Sequence, residues 1–261
     1  MPKLANEHLG MNLRDRIKPM FSALMLSKLS TLYQYFATLI PTTASHNMAK
    51  LDALRVVFHN LALDKIEGPY VEFGVAYGNS LKSALRANKK TSFKILGISS
   101  FERRFLGFDT FEGFSSHDVS DLHETWNGSL FSSTLAQVGK RFRMKDNVSL
   151  YKVDVCRINE DQNRINFNIQ ELVIEESVAV VLLDMDLKAP TLEALMWIEP
   201  KLVEGSVVIF DEFFGFAGND SLGEAGAFQE FLRIFPEIRF REVMRYGTGG
   251  VVFQISSKSA K

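Results

Sequence analysis

The spacing of hydrophobic residues along the chain changes near Gly68. Apolar residues in the first quarter of the sequence recur at helical spacing, as at Leu54, Val57, Phe58 and Leu61. This spacing places them on one face of a helix, so the N-terminal part is predicted to be helical. After Gly68, short runs rich in Val, Ile, Leu and Phe alternate with stretches of helical periodicity. Alternation of this kind predicts parallel strands connected by helices.

The alternating region predicts seven strands, and their order along the chain decides the fold class. The strands are "YVEFGV", "RFLGFDTF", "VSLYKVDV", "SVAVVLLD", "SVVIFD", "EIRFREVMR" and "GGVVFQIS". The helices between them are "NSLKSALRANKK", "SLFSSTLAQVGKRF", "QNRINFNIQELV", "TLEALMWIEPKL" and "LGEAGAFQEFLRIF". The Gly-rich turn at Tyr246–Gly250 joins the last two strands as a β-hairpin, which makes one strand antiparallel at an edge. We therefore predict an α/β fold with a doubly wound, seven-stranded, mostly parallel sheet whose last strand is antiparallel, with extra N-terminal helices.

Residues 1–66 are predicted to form a separate helical segment, and residues 67–261 the main domain. Pro41 and the following "TTAS" separate two N-terminal helices. Residues 21–40 are the most membrane-like stretch, but Lys28 and several Ser and Thr residues make it too polar for a membrane span. We expect this segment to cover the active site as a lid or to form a dimer interface.

Composition and charge exclude several classes of function. The formal net charge of the 261 residues is -1, which gives no electrostatic reason to expect a nucleic-acid partner. Cys156 is the single cysteine, so no internal disulfide can form. The N-terminus lacks the pattern of a signal peptide. These features predict a cytoplasmic protein with neither a nucleic-acid nor a membrane partner.

Acidic residues follow two neighbouring apolar runs. Asp184 and Asp186 come after the fourth predicted strand, and Asp211 and Glu212 after the fifth. Since the carboxyl ends of adjacent parallel strands lie ~4.8 Å apart, these like charges would repel each other unless a positive group neutralised them. Carboxylate oxygens in this number suit Mg²⁺, Ca²⁺ or Mn²⁺. The alternative is that the acids cap the following turns and face water.

The ends of the first three strands also carry residues suited to a ligand. Gly74 and Gly78 allow a tight turn after the first strand, and the helix that follows begins at Asn79 with free N–H groups. Asp109 ends the second strand, where an acid typically binds a ribose diol, and Asp154 after the third is placed to reach a nucleobase edge. The alternatives are a turn required only by packing and ordinary turn or cap aspartates. An earlier strand, "FKILGI", competes with "RFLGFDTF" for the second position.

In combination and order, these motifs resemble class I S-adenosylmethionine-dependent methyltransferases, and more closely the macrocin O-methyltransferase family. The resemblance is carried by "YVEFGVAYGNS", "GFDTFEGF", "LLDMDLKAPTLEALMWIEPKLVEGSVVIFDEF" and the closing hairpin. It implies a Rossmann-like methyltransferase fold, with the methionine end of the cofactor near Glu72, its ribose at Asp109 and its adenine near Asp154. It also implies Mg²⁺ at the carboxylates that match Asp184, Asp211 and Glu212. The residues predicted to contact the cofactor are Glu72, Gly74, Val75, Gly78, Asn79, Ser80, Asp109, Thr110, Asp154, Val155 and Asp184.

The chain departs from the family pattern at two points. Lys188 replaces the aromatic residue of the family's D-x-D-x-Y pattern, and there is no histidine after His123 to match the family's late general base. His117 and His123 follow the second strand, and either is a candidate base. The predicted catalytic residues are therefore Asp184, His117 and His123.

These observations predict an S-adenosylmethionine- and Mg²⁺-dependent O-methyltransferase that acts on a hydroxyl of a sugar or another small natural product. The expected partners are this small-molecule acceptor and a second copy of the chain. One alternative is a nicotinamide-dependent oxidoreductase on a similar sheet, although the G-x-G-x-x-G fingerprint is missing. The other is a non-catalytic cofactor-binding module of the same fold.

Overall fold

A computed structural model describes residues 13–91, 102–114, 132–143, 145–158, 174 and 176–259. The chain divides into two compact units, Met1–Ser45 and His46–Lys261. The second unit contains the whole sheet and most of the second helix. Two predicted segments lie outside the described residues: the helix at 162–173 and the core of the competing strand "FKILGI" at 93–98.

The described residues form six α-helices and seven strands. The helices are α1 (Leu13–Thr38), α2 (Thr42–Leu63), α3 (Asn79–Lys90), α4 (Leu135–Phe142), α5 (Lys188–Ile198) and α6 (Gly223–Ile234). The strands are β1 (Tyr70–Phe73), β2 (Phe105–Asp109), β3 (Val148–Lys152), β4 (Val178–Leu183), β5 (Leu202–Phe210), β6 (Ile238–Tyr246) and β7 (Gly250–Lys258). None of the helices within the described ranges is long and apolar enough to span a membrane.

Two predicted helix boundaries are corrected. The "TTAS" segment forms the first turn of α2 instead of separating α1 from α2, because Pro41 is compatible with the position just before a helix. Helix α4 begins at Leu135, since Thr134 forms a capping box with Gln137 and fixes the N-terminus there.

The sheet has the order β3-β2-β1-β4-β5-β7-β6, which confirms the predicted doubly wound, mostly parallel fold. Strands β1 to β5 are parallel, and β7 is antiparallel to both of its neighbours. The sequence analysis placed the antiparallel strand at an edge of the sheet. In the structure this strand, β7, lies between β5 and β6. The apolar β7, with Val251 and Val252 fully buried, inserts beside β5 and leaves the charged β6 as the edge strand. Charged side chains on an edge strand discourage pairing with other molecules.

Helices cover both faces of the sheet. Helices α5 and α6 contribute to one hydrophobic cluster, and α2, α3 and α4 contribute to the other. Strand β4 lies at the centre, and all six of its residues are buried. A strand that is buried on both faces must be continuously apolar, which explains why it reads "VAVVLL" without alternation.

Strand β1 pairs with β2 along one of its edges and with β4 along the other. The order of the strands therefore reverses between β1 and β4. Ligands of such sheets bind in the crevice outside the carboxyl ends of the strands at this switch in strand order. The loops after β1, β2, β3, β4 and β5 all open toward this edge, so the predicted site residues share one end of the sheet.

Candidate active site

The turn between β1 and α3 depends on two glycines. Gly74 has a φ of 87°, and a Cβ on it would lie 1.8 Å from the carbonyl oxygen of Asp184. Gly78 has a φ of 74° at the start of α3. An L side chain is strained at such angles, so the sequence needs glycine at both points. The close approach brings the β1 loop against the backbone that follows β4.

The carboxyl group of Glu72 lies beneath this turn and is fully buried. The Tyr70 hydroxyl donates to one of its oxygens at 2.6 Å, and the Ser80 hydroxyl donates to the other at 2.7 Å. Burial raises the pKa of Glu72 to about 8, although both hydrogen bonds favour the charged form. Glu72 and Ser80, both predicted to contact the cofactor, are thus joined in one network beside the buried Val75.

The carboxylate of Asp109 organises the loops after β1 and β2. It accepts hydrogen bonds from the backbone N–H of Ala76 at 2.7 Å and of Phe111 at 2.6 Å. Both donors have positive φ angles, 44° and 56°, so Asp109 stabilises strained backbone in both loops. The neighbouring Thr110 hydroxyl donates to the Gly113 carbonyl. The backbone of Val75 and the side chain of Thr110 also contribute hydrogen bonds to this carboxylate, which is therefore held firmly in place at the end of β2.

Asp154 and Asn79 have local roles in the structure. Asp154 caps the short 3₁₀ turn Val155–Arg157 by accepting from the N–H of Cys156 at 3.1 Å. The Asn79 side chain accepts from Arg141 at 2.9 Å. The contact of Asp154 matches the cap interpretation that the sequence left open for this residue.

The acidic residues after β4 and β5 come together as predicted. Leu183 pairs with Phe210 in parallel register, so Asp184 and Asp211 follow at the same level of the sheet. The positive group between them is the ammonium of Lys50, on α2. Its Nζ lies 2.9 Å from Asp184 Oδ2 and 2.5 Å from Asp211 Oδ2. Lys50 is only 5% exposed, so this is a buried ion-pair triad.

The other oxygen of Asp211 is also occupied. Asp211 Oδ1 accepts from the Tyr246 hydroxyl at 2.7 Å and lies 3.0 Å from Nε2 of His46. Burial alone would raise the pKa of Asp211, but the His46 hydrogen bond and the charge of Lys50 outweigh it and lower that pKa to about 2. Asp184 behaves oppositely, because burial and the charge of Asp211 raise its pKa to about 7.

His46 holds Asp211 but has no nitrogen left to act as a base. The backbone N–H of Thr248 donates to its Nδ1 at 3.2 Å, which places the ring proton on Nε2, facing Asp211. The hydrogen bond to Asp211 raises the pKa of His46, although burial acts in the opposite direction. His46 therefore acts as a positioning residue.

Three further carboxyl groups lie around the triad of Lys50, Asp184 and Asp211. They belong to Glu224, Asp186 and Glu212. Glu224, on α6, is completely buried and accepts from the backbone N–H of Glu212 at 2.9 Å. Asp186 has a positive φ of 63°, and burial together with Asp184 raises its pKa well above the usual range. Within the described part of the chain, no hydrogen-bond donor contacts the carboxylates of Asp186 and Glu212.

The donor chemistry of this cluster fits a hard divalent cation. One ammonium faces the four carboxyl groups of Asp184, Asp186, Asp211 and Glu212. Burial and mutual repulsion raise the pKa of all of these groups except Asp211, so a bound cation would stabilise their charged forms. Among the residues that the structure describes, His46, Asp211 and Glu212 offer ligand atoms that lie within 4.8 Å of one another. Asp211 and Glu212 also belong to the metal-binding trio that the sequence predicted, whereas His46 stands in place of Asp184. However, His46 Nε2 carries the proton directed at Asp211, so the carboxylates are the donors available to a metal.

Sequence reasoning missed His46, Lys50, Tyr246 and Glu224 as parts of the site. For His46 and Lys50 the sequence did contain a signal. His46 and Lys50 continue the stripe Ala53, Leu54, Val57, Phe58 and Leu61 that α2 buries, and a polar residue on a buried stripe requires a partner. The candidate bases His117 and His123 lie outside the described residues.

Comparisons with known proteins agree with this architecture. A family model described as a methyltransferase domain matches residues 71–213. Among solved structures, the calicheamicin methyltransferase CalS11 has a TM-score of 0.59 at 21% identity, covering 94% of this chain and 97% of that one. The O-methyltransferase NovP has a TM-score of 0.56 at 19% identity, covering 81% and 80%. The apo form of CalS11, a TDP-rhamnose 3'-O-methyltransferase, has a TM-score of 0.50 at 24% identity, covering 79% of each chain. No curated relative matches the chain.

Proposed function

Because the chain belongs to the methyltransferase-domain family, we propose that it transfers a methyl group from S-adenosylmethionine to a hydroxyl of a sugar or another small natural product. The prediction of a class I S-adenosylmethionine-dependent methyltransferase is confirmed by the family match. That match carries the proposal, since it spans both the Gly74 turn and the acids Asp184, Asp211 and Glu212. It also argues against the nicotinamide-dependent alternative.

The reaction is a displacement in which the acceptor oxygen attacks the methyl carbon. The bond between methyl carbon and sulfur breaks, sulfur keeps the electron pair as S-adenosylhomocysteine forms, and the hydroxyl proton leaves to a base. The protein mainly holds donor and acceptor in line. We assign the donor to the loops of Glu72, Gly74, Asp109 and Asp154, and the acceptor to the end of the cleft at Asp184.

We assign a divalent cation such as Mg²⁺ to Asp184, Asp211 and Glu212. A cation bound there would hold acceptor oxygens and lower the pKa of the hydroxyl. The support is the excess of carboxyl groups over the single ammonium and the carboxylate of Glu212, which no described residue contacts by a hydrogen bond. The base remains a prediction at His117 or His123.

A sugar acceptor is the first class to test. The structural neighbour CalS11 is named as a calicheamicin methyltransferase and, in its apo form, as a TDP-rhamnose 3'-O-methyltransferase. The second name gives a hydroxyl group of a nucleotide-linked deoxysugar as the acceptor of that protein. Screening should start with nucleotide-linked deoxysugars.

Calorimetric titration of S-adenosylhomocysteine and of Mg²⁺ tests this proposal directly. We expect wild type to bind both, and Asp211→Ala to lose Mg²⁺ while retaining S-adenosylhomocysteine. Asp52→Ala is the matched control, because Asp52 is an exposed acid on α2 that pairs with Arg55. Failure of wild type to bind S-adenosylhomocysteine would reject the assigned chemistry. Binding of S-adenosylhomocysteine without turnover of any hydroxyl acceptor would favour the non-catalytic module.

We also propose that the chain forms a homo-oligomer through its N-terminal helix. Many large apolar side chains on α1 and just after it are exposed, including Leu26, Tyr33, Phe36 and Leu39. Burying such side chains stabilises protein interfaces. Light scattering of the intact chain should give a mass above that of one chain, and deletion of residues 1–45 should reduce it to one.

A further inference from the structure

The ammonium of Lys50 occupies one oxygen of each aspartate assigned to the proposed cation. It contacts Oδ2 of Asp184 at 2.9 Å and Oδ2 of Asp211 at 2.5 Å. The remaining oxygen of Asp211, Oδ1, is held by Tyr246 and His46. Neither aspartate can therefore offer both of its oxygens to a metal unless at least one of these contacts is broken.

Electrostatics makes joint occupancy unfavourable. Mg²⁺ binds carboxylate oxygens at about 2.0–2.1 Å, so an ion on the same two oxygens would lie within a few ångströms of the ammonium. Like charges this close repel strongly in a buried site, where water screens them little. The long, flexible side chain of lysine gives the ammonium a way to move aside while the helix stays in place.

Helix α2 has other contacts that would hold it after Lys50 leaves. His46 donates to Asp211 and accepts from Thr248, and the apolar stripe that includes Leu54 and Phe58 is buried against the sheet. Movement of the lysine side chain therefore does not require the helix to detach.

We propose that Lys50 and a divalent cation are alternative occupants of the Asp184–Asp211 pair, so that the site carries its own cation whenever no metal is bound. This inference rests on the metal assignment within the proposed function. It follows that metal binding must displace the lysine and is weakened by it. Lys50 thereby sets the metal concentration at which the divalent cation replaces the ammonium.

The first test is calorimetric titration of Mg²⁺ into wild type, Lys50→Met and Arg55→Met. We expect Lys50→Met to bind Mg²⁺ at least tenfold more tightly than wild type, which corresponds to about 1.4 kcal/mol. Arg55→Met should match wild type, because Arg55 is an exposed cation on the same helix. Equal or weaker binding by Lys50→Met would overturn the proposal, since the lysine would then not compete.

A second test uses wild type alone and does not depend on the folding of a variant. Acylation by acetic anhydride, read by mass spectrometry, measures how accessible each lysine is. We expect the labelling of Lys50 to rise when Mg²⁺ is added, while that of Lys82 on α3 stays constant. Unchanged labelling of Lys50 at a Mg²⁺ concentration that saturates the calorimetric signal would overturn the proposal.

Titration of S-adenosylhomocysteine into the same samples tests the methyltransferase assignment separately from the competition between Lys50 and the metal. If wild type binds S-adenosylhomocysteine and neither wild type nor Lys50→Met binds Mg²⁺, the competition is rejected and the methyltransferase assignment survives. If S-adenosylhomocysteine does not bind, the assigned chemistry itself fails, whatever Mg²⁺ does.

Discussion

The two ends of the cleft are stabilised in different ways. At the end formed by the loops after β1, β2 and β3, most polar groups find partners nearby in the fold: Asp109 binds two loop backbones, and Asp154 binds its own turn. At the end formed after β4 and β5, Asp211 is held by His46 and Tyr246, which are 165 and 35 residues away along the chain. The first end is built mainly from carboxylates that accept backbone N–H groups, and the second from ion pairs and hydrogen bonds between side chains.

This difference affects how each end should respond to change. At the first end, loss of a carboxylate leaves neutral backbone N–H groups without an acceptor. At the second end, loss of one partner of the buried ion pairs leaves an uncompensated charge, which costs more. We therefore expect the larger effects at the end that carries Asp184 and Asp211.

The largest effect should come from removing the lysine ammonium. In metal-free buffer, Lys50→Met should lower the free energy of unfolding by about 3–5 kcal/mol, because Asp184 and Asp211 would lose their shared partner. Urea unfolding with a chelator present measures this loss. Arg55→Met removes an exposed pair and should cost at most about 1 kcal/mol. Similar losses in both variants would mean that the buried ion pairs of Lys50 stabilise the fold no more than an exposed pair does.

Glu72 should make stability depend on pH. Its pKa is raised from 4.5 to about 8 in the folded protein, so the folded state holds a proton that the unfolded chain releases. The contribution of Glu72 to stability is therefore fully present below pH 4.5 and falls as pH rises toward 8, by up to about 5 kcal/mol. Glu72→Gln should remove this contribution, while the decline caused by the raised pKa of Asp184 remains in both proteins. Unfolding curves measured at several pH values check it, and parallel declines in wild type and variant would contradict it.

Gly74→Ala should disturb both ends at once. The new Cβ would meet the carbonyl oxygen of Asp184 at a positive φ, so we expect a loss of about 2–3 kcal/mol and weaker S-adenosylhomocysteine binding. Gly139→Ala in α4 is the matched control, since its Cβ would meet nothing within 4 Å. That variant should be neutral or more stable by about 0.5–1 kcal/mol. Thermal melts and calorimetry measure both variants.

Asp154→Ala should have the smallest effect. Loss of one cap on a single 3₁₀ turn costs about 1 kcal/mol. If Asp154 also contacts the adenine, S-adenosylhomocysteine binding should weaken by more than stability does. Calorimetry beside a thermal melt separates these contributions, and a melting change with unaltered affinity would leave Asp154 as a cap alone.

The sequence predicted the parts of the molecule whose causes are local. The continuous apolar run Val178–Leu183 indicated a central strand, and Gly74 and Gly78 indicated a tight turn, because each pattern has one physical explanation. The position of β7 inside the sheet depended instead on how a hairpin folds back, which its own residues do not specify. His46 and Lys50 were harder still, since a helical stripe tells which face is buried but not which strand ends it meets.

The contact between Gly74 and the carbonyl of Asp184 has a consequence for altering this protein. It fixes the spacing between the loop assigned to the methyl donor and the acid assigned to the acceptor, with no side chain between them. A substitution on the side assigned to the acceptor that leaves the backbone of Asp184 in place should therefore leave the donor loop in place as well. A change that moves the backbone of Asp184 would instead shift the donor loop as well, and both substrates would lose their alignment together.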